Sequence, residues 1–196
     1  AGEPQALPLV LDGEGRIYLH RYFAYERRLA ANLRQRAGRH AIAPGAKLDK
    51  LRSGLDKLFA DNASRLGDAP DWQKLAAALA WRGGLTIISG GPGTGKTTTV
   101  VALLACLLTE NPHLRVALAA PTGKAAARML EALRQRAGEL PPELQALLPD
   151  QSHTLHRLLG VTPEAGRFRY HAENLLPIDA LIVDEASMLD LSLACR

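Results

Sequence analysis

"GGPGTGKTT", Gly90 to Thr98, decides the fold. Its first eight residues satisfy the spacing G-x-x-x-x-G-K-[ST]. They lie between "LTIIS" (Leu85 to Ser89), an apolar run read as a buried strand, and a long apolar stretch ending at Glu110, read as a helix. Strand, glycine turn and helix N-terminus in that order form a phosphate loop. The glycines let the backbone fold back with its N–H groups pointing inward as an anion nest. The helix start near Gly95 adds the positive end of its dipole. The expected nucleotide contacts are therefore Gly91, Pro92, Gly93, Thr94, Gly95, Lys96, Thr97 and Thr98. Lys96 reaches the β- and γ-phosphates of ATP, and the Thr97 hydroxyl joins the Mg²⁺ shell.

Downstream, "ALIVDEAS" (180–187) reads as a buried strand that ends in two carboxylates. A metal-bound triphosphate needs a carboxylate at the end of a neighbouring strand. Asp184 suits the Mg²⁺ shell, and Glu185 is placed to orient or deprotonate the attacking water. The pair points to hydrolysis rather than transfer to a metabolite, and makes Lys96 and Glu185 the catalytic candidates. Between the two motifs, "APTGKAAAR" (120–128) carries a second Thr-Gly-Lys turn. It lacks the first glycine of a phosphate loop, so it holds something else. It leaves a strand ("RVALAAP") and enters a helix, which offers free N–H groups and the Thr122 hydroxyl to an anion. A sugar–phosphate backbone fits such a turn; so does a plain helix cap beside a solvated Lys124.

Strand–helix alternation across 67–196 predicts an α/β fold: a mostly parallel sheet with helices on both faces. Residues 1–66 read as a small α+β segment. It comprises a hairpin around Gly13-Glu14-Gly15, a helix ending at Gly38, and a second helix over 47–62. Gly67-Asp68-Ala69-Pro70 marks the boundary, and Asp71 caps the next helix, "WQKLAAALAWR". "SHTLHRLLG" (152–160) reads as a short helix capped by Ser152 or Thr154. "PEAGRFRYHAENLLP" (163–177) reads as irregular or a hairpin, with "RFRYH" open to either hairpin packing or a nucleic-acid surface. The chain has 196 residues, is 47% hydrophobic and 22% charged, and carries a net charge of +4. Residues 1–66 hold 12 Lys/Arg against 7 Asp/Glu, so the basic excess is N-terminal. The longest apolar run, Val100 to Leu108, is too short to span a bilayer, no secretory leader opens the chain, and two distant cysteines fit a reducing cytosol. A cytoplasmic protein is expected. Cys and His spacing does not read as zinc.

"ISGGPGTGKTTTV", "LAAPTGKAAARM", "SHTLHRLLG" and "VDEASMLDL" together follow the order and approximate spacing of superfamily 1 helicases. More narrowly, with "DWQKLAAALA" and "YLHRYFAYERR", the chain resembles the RecD family, the alpha subunits of exodeoxyribonuclease V. The resemblance covers nearly the whole chain, and it implies that residues 67–196 are a RecA-like P-loop domain with an incomplete parallel sheet. It implies a 5′ to 3′ DNA helicase and translocase that acts with RecB and RecC on duplex DNA ends in double-strand break repair. It also implies that Gln73 recognises the adenine base. By the same analogy Thr122, Lys124, Thr154 and His156 touch single-stranded DNA; for His156 the alternative is packing within its helix. A motor of this family also needs a second RecA-like domain, a glutamine-bearing motif and an arginine finger. None precedes Arg196, so the chain is expected to be a piece of a longer motor, itself close to inactive. In such motors a later strand inserts between the Asp-Glu strand and the phosphate-loop strand. Leu181–Asp184 and Leu85–Ser89 are therefore expected to flank an open slot. The competing readings are another nucleic-acid-dependent P-loop ATPase or loader, and a nucleotide-binding scaffold without turnover.

Overall fold

The computed structural model describes residues 7–38, 47–91, 93–162 and 167–195. Pro92, expected in the phosphate loop, lies outside them.

The chain opens with an antiparallel hairpin, β1 (Leu9–Leu11) and β2 (Ile17–Leu19), in which Leu9 pairs with Leu19 and Leu11 with Ile17. Helices α1 (His20–Ala37), α2 (Lys47–Leu58) and α3 (Ala60–Leu66) follow. The helix expected over 47–62 is thus two helices. Phe59 leaves helical geometry at φ −115° and ψ 23°, and its buried ring is held in the core instead.

Helix α4 (Trp72–Arg82) starts where Asp71 caps it, the carboxylate accepting from Lys74 N at 3.0 Å. Such a cap satisfies one of the first-turn donors that a helix leaves unpaired. Helix α5 (Lys96–Glu110) is apolar on nearly every side, as a helix packed within the core must be. Val101, Leu104, Ala105 and Leu108 meet strand β3 (Val116–Ala120) and helix α6 (Gly123–Ala137) through Leu118, Met129 and Leu133. Ala102 and Leu103 face the other way, onto Leu51 and Leu55 of α2, Phe59, and Ala77 and Trp81 of α4. Leu104 is wholly buried, a burial that favours folding by about 2–3 kcal/mol. The buried Thr99 hydroxyl bonds to Gly95 O at 3.2 Å, so no polar group is stranded in that helix core.

A short helix α7 (Pro142–Gln145) forms a single turn in the Pro-rich connection that follows α6. Strand β4 (Ser152–Thr154), helix α8 (Leu155–Leu159), strand β5 (Ala180–Val183), a 3₁₀ turn at Ala186–Met188 and helix α9 (Leu191–Ala194) complete the order. The sheet runs β4-β3-β5, all parallel, with Leu118 opposite both Ser152 and Ile182. Along β3 the side chains alternate: Leu118 enters the α5–α6 core, while Ala119 packs with Leu155 of α8 and Leu193 of α9. Both faces of this central strand are covered, as a parallel sheet requires. At its foot, Arg115 forms a two-pronged ion pair with Asp179 (3.0 and 2.9 Å) and ties β3 to β5.

Two further sequence expectations change. Ser152 and His153 belong to a strand rather than a helix, because β3 offers them a ladder; only from Leu155 does the chain turn helical. Leu85–Ser89 forms no strand: it joins neither β3 nor β5, and Ile87 is 81% exposed. The apolar run lacks a neighbouring strand to pair with, and composition alone does not make a ladder.

Candidate nucleotide and nucleic-acid site

Gly95 sets the phosphate loop. It takes a left-handed conformation (φ 80°) and turns the chain into the N-terminus of α5. A Cβ there would overlap the amide of Gln73, whose Cδ lies 2.9 Å away. Gly90 is equally constrained, since a Cβ would lie 2.5 Å from Thr94 Oγ1. Thr94 Oγ1 closes the loop by donating to Gly91 O at 2.9 Å. The Lys96 ammonium folds back over the turn and donates to Gly90 O at 2.5 Å and Gly91 O at 2.9 Å. The lysine, the helix N-terminus and the loop amides are therefore gathered in one place, an arrangement suited to a phosphate chain.

Gln73, from the first turn of α4, reaches this loop directly: its Nε2 donates to Thr94 O at 3.0 Å. Its Oε1 accepts from Asn62 Nδ2 at 3.2 Å, and the same Asn62 amide donates to Asp71 Oδ2 at 3.1 Å. Sequence reasoning missed Asn62, because an asparagine inside a helical run carries no local signal.

The carboxylates stand at the end of β5. Asp184 is fixed by its own N–H donating to Ala119 O at 3.0 Å, and its Oδ1 accepts from Glu185 N at 2.9 Å. Glu185 is the one non-glycine described residue with positive φ (52°). Holding a side-chain-bearing residue in that region costs about 1–2 kcal/mol, a strain invisible in sequence. It leaves the Glu185 side chain exposed just beyond the sheet. Hard oxygen donors, the Thr97 hydroxyl and the Asp184 carboxylate, are what Mg²⁺ takes alongside phosphate oxygens. Among the described residues no three His, Cys, Asp or Glu side chains gather as a separate metal cage.

The parallel order also aligns the two turns expected to meet DNA. Thr122 follows β3 and Thr154 ends β4, with Ala120 opposite Thr154. A Cβ on Gly123 would lie 4.0 Å from Thr154 Cγ2, so the turns adjoin. Each threonine caps its helix, Thr122 accepting from Ala125 N and Thr154 from Arg157 N, both at 3.2 Å. Capping uses the hydroxyl as acceptor and leaves its proton free for another oxygen. Lys124 is exposed one residue into α6. His156 is also exposed, with its ring 6.0 Å from that of Phe168. The "RFRYH" segment turns back on α8: Arg169 N donates to Gly160 O and Tyr170 N to Leu159 O, with a Val161–Phe168 bridge. Hairpin packing is therefore its structural role.

The chain is 40% identical to the RecBCD enzyme subunit RecD of Mycolicibacterium smegmatis over an alignment covering all of this chain and 33% of that protein. It is 34% identical to the RecD subunit of Haemophilus influenzae over 93% of this chain and 29% of that protein. It is 36% identical to the ATP-dependent RecD2 DNA helicase of Deinococcus radiodurans over 90% of this chain and 21% of that protein. The chain thus spans a third or less of the length of these relatives. The AAA domain family model matches residues 73–196, from the glutamine of α4 through the phosphate loop and both carboxylates. By that match the chain belongs to the AAA domain family, whose members use nucleotides.

Proposed function

We propose that the protein is the motor part of a RecD-type subunit, an ATP-dependent 5′ to 3′ DNA helicase and translocase that acts in double-strand break repair. Residues 67–196 form the first motor domain and residues 1–66 an N-terminal appendage; the family match beginning at residue 73 supports that division. One observation carries the reading. A single central strand, β3, holds the Thr122 turn at its own end and neighbours both Thr154 and the Asp184-Glu185 pair, while α5, the helix that follows the phosphate loop, packs on the same sheet. Nucleotide chemistry and a backbone-contacting turn therefore share one rigid element, the arrangement a nucleic-acid motor needs.

In this reading Lys96 exchanges the Gly90 and Gly91 carbonyls for β- and γ-phosphate oxygens of ATP. Loop residues 91–98 cradle the phosphates and Gln73 meets the adenine. Thr97 and Asp184 hold Mg²⁺, which neutralises phosphate charge when bound. Glu185 orients the attacking water and accepts its proton. Thr122, Lys124, Thr154 and His156 contact single-stranded DNA. The partners are RecB and RecC. The outer face of the hairpin supports a protein partner, since Leu9, Leu11, Ile17 and Leu19 are each more than half exposed there. Among the described residues no helix is long and apolar enough to cross a membrane, and we place the protein in the cytoplasm with its DNA substrate. Similarity to the RecD2 helicase supports a second reading, the same motor working without partner subunits. Co-purification of the full-length protein with RecB and RecC decides between them.

The test is Lys96→Ala in the full-length protein, read as ATP hydrolysis with and without single-stranded DNA. DNA-stimulated turnover is expected to vanish. Turnover within about threefold of wild type overturns the assignment, because the charge at the transferring phosphate would then be neutralised elsewhere.

A further inference from the structure

The link from α3 to the phosphate loop is a run of side-chain amides whose polarity is fixed at both ends. Asp71 Oδ2 can only accept, so the Asn62 group facing it at 3.1 Å is the NH₂. That NH₂ also meets Gln73 at 3.2 Å, so Gln73 must turn its oxygen there. At the far end Thr94 O can only accept, and Gln73 presents its NH₂ to it at 3.0 Å. Flipping either amide would set oxygen against oxygen. Asn62 is itself half-buried, with its Oδ1 accepting from Arg65 Nη2 at 3.2 Å.

We propose that Asn62 is a positioning residue for base selection, holding the Gln73 amide in the one orientation that favours adenine. An amide oxygen accepts two hydrogen bonds and an NH₂ donates two. With Asn62 and Thr94 each using one, Gln73 keeps one acceptor and one donor side by side. That pair complements the 6-amino group and N7 of adenine, whereas guanine presents an oxygen at position 6. An amide free to rotate could turn its NH₂ toward that oxygen. Asn62 prevents the rotation, and selectivity follows from the lock. The proposal rests on the adenine-recognition reading of Gln73.

The test measures equilibrium binding of fluorescent ATP and GTP derivatives to the full-length protein without DNA. Asn62→Asp is isosteric and replaces the donor by an acceptor. The preference for ATP over GTP is expected to fall about five- to tenfold, the size of one lost hydrogen bond. Gln73→Ala, measured alongside, is expected to abolish the preference. If it does not, the reading of Gln73 falls and the proposal falls with it. If Gln73→Ala abolishes the preference while Asn62→Asp keeps it, only the role of Asn62 is overturned. The double variant Asn62→Asp/Asp71→Asn controls for folding. It removes the like-charge clash by restoring an amide–carboxylate pair with donor and acceptor exchanged, and it retains a good N-cap side chain, yet returns no donor to Gln73. It is expected to recover the wild-type melting temperature without recovering the preference. Recovery of both shows that Asn62 acts through stability alone and overturns the proposal.

Discussion

Gly95→Ala tests the loop geometry directly. At φ 80° the residue is in the left-handed region, where alanine costs about 1–2 kcal/mol more than glycine. The new methyl also overlaps the Gln73 amide. That amide is the far end of a flexible side chain, so it swings away rather than forcing the backbone apart. Swinging away breaks its bond to Thr94 O, worth about 1 kcal/mol. The expected destabilisation is therefore about 2–3 kcal/mol in urea unfolding followed by circular dichroism. A double-mutant cycle separates the two parts. Gln73→Ala alone costs about 1 kcal/mol. With no amide left to displace, the double variant costs no more than Gly95→Ala does, giving a coupling of about 1 kcal/mol. A Gly95→Ala cost below about 0.5 kcal/mol, or strict additivity, refutes the placement of Gln73 against the loop.

Three further expectations concern other parts of the molecule. Thr122→Ala with Lys124→Ala in the full-length protein weakens single-stranded DNA binding and lowers the slope of log K against log salt by about 0.7 for the lost lysine contact; an unchanged slope leaves the turn a helix cap alone. Burial pushes the Cys106 thiol up to about 11, so in a Cys195→Ser background Ellman's reagent at pH 8 labels Cys106 only on unfolding, and rapid native labelling contradicts its packing. The Arg115 guanidinium, with the Arg115 N–H, holds Asp179 down to about 2 from 3.8. A lowered carboxylate stabilises the fold above its unfolded value and loses that contribution as pH falls through the folded one. The stability difference between wild type and Asp179→Asn is thus full above pH 3.8, shrinks below it and vanishes near pH 2; a difference that is flat from pH 5 to pH 3 contradicts the ion pair.

The parts legible in the sequence are those whose signals are local. The glycines of the phosphate loop are demanded by turn geometry and by the close approach of Thr94 and Gln73, so their spacing announces the structure. β3 is apolar because both its faces are covered, Ile182 and Val183 of β5 pack beside it, and Asp71, Thr122 and Thr154 are capping residues where helices begin. β4 was not legible. Ser152-His153-Thr154 is polar and short, and becomes a strand only because β3 lies beside it. The strain at Glu185 and the amide run through Asn62 were also hidden, since both depend on residues distant in sequence meeting in space.

The segment Leu85–Ser89 shows the converse, an apolar run that the sequence reads as a strand and the fold leaves unpaired. Two costs compete. Exposing Ile87 forfeits about 1.5–3 kcal/mol of burial. Burying the segment beside β5 without a bonded partner strands several backbone groups at about 1–3 kcal/mol each. The second cost is larger for a segment of this length, so the run stays where water can satisfy its amides, and β5 remains an edge of the sheet. The open slot expected between the two segments is thus met by displacing the phosphate-loop run from the sheet rather than by holding an unpaired gap inside it. Hydrogen exchange on this chain tests the balance. Amides of residues 86–89 exchange close to the rate of an unstructured peptide, while those of Leu118 to Ala120, central in the sheet, are strongly protected. Comparable protection at both places means that Leu85–Ser89 has found a ladder, and the accounting of unpaired groups is then wrong.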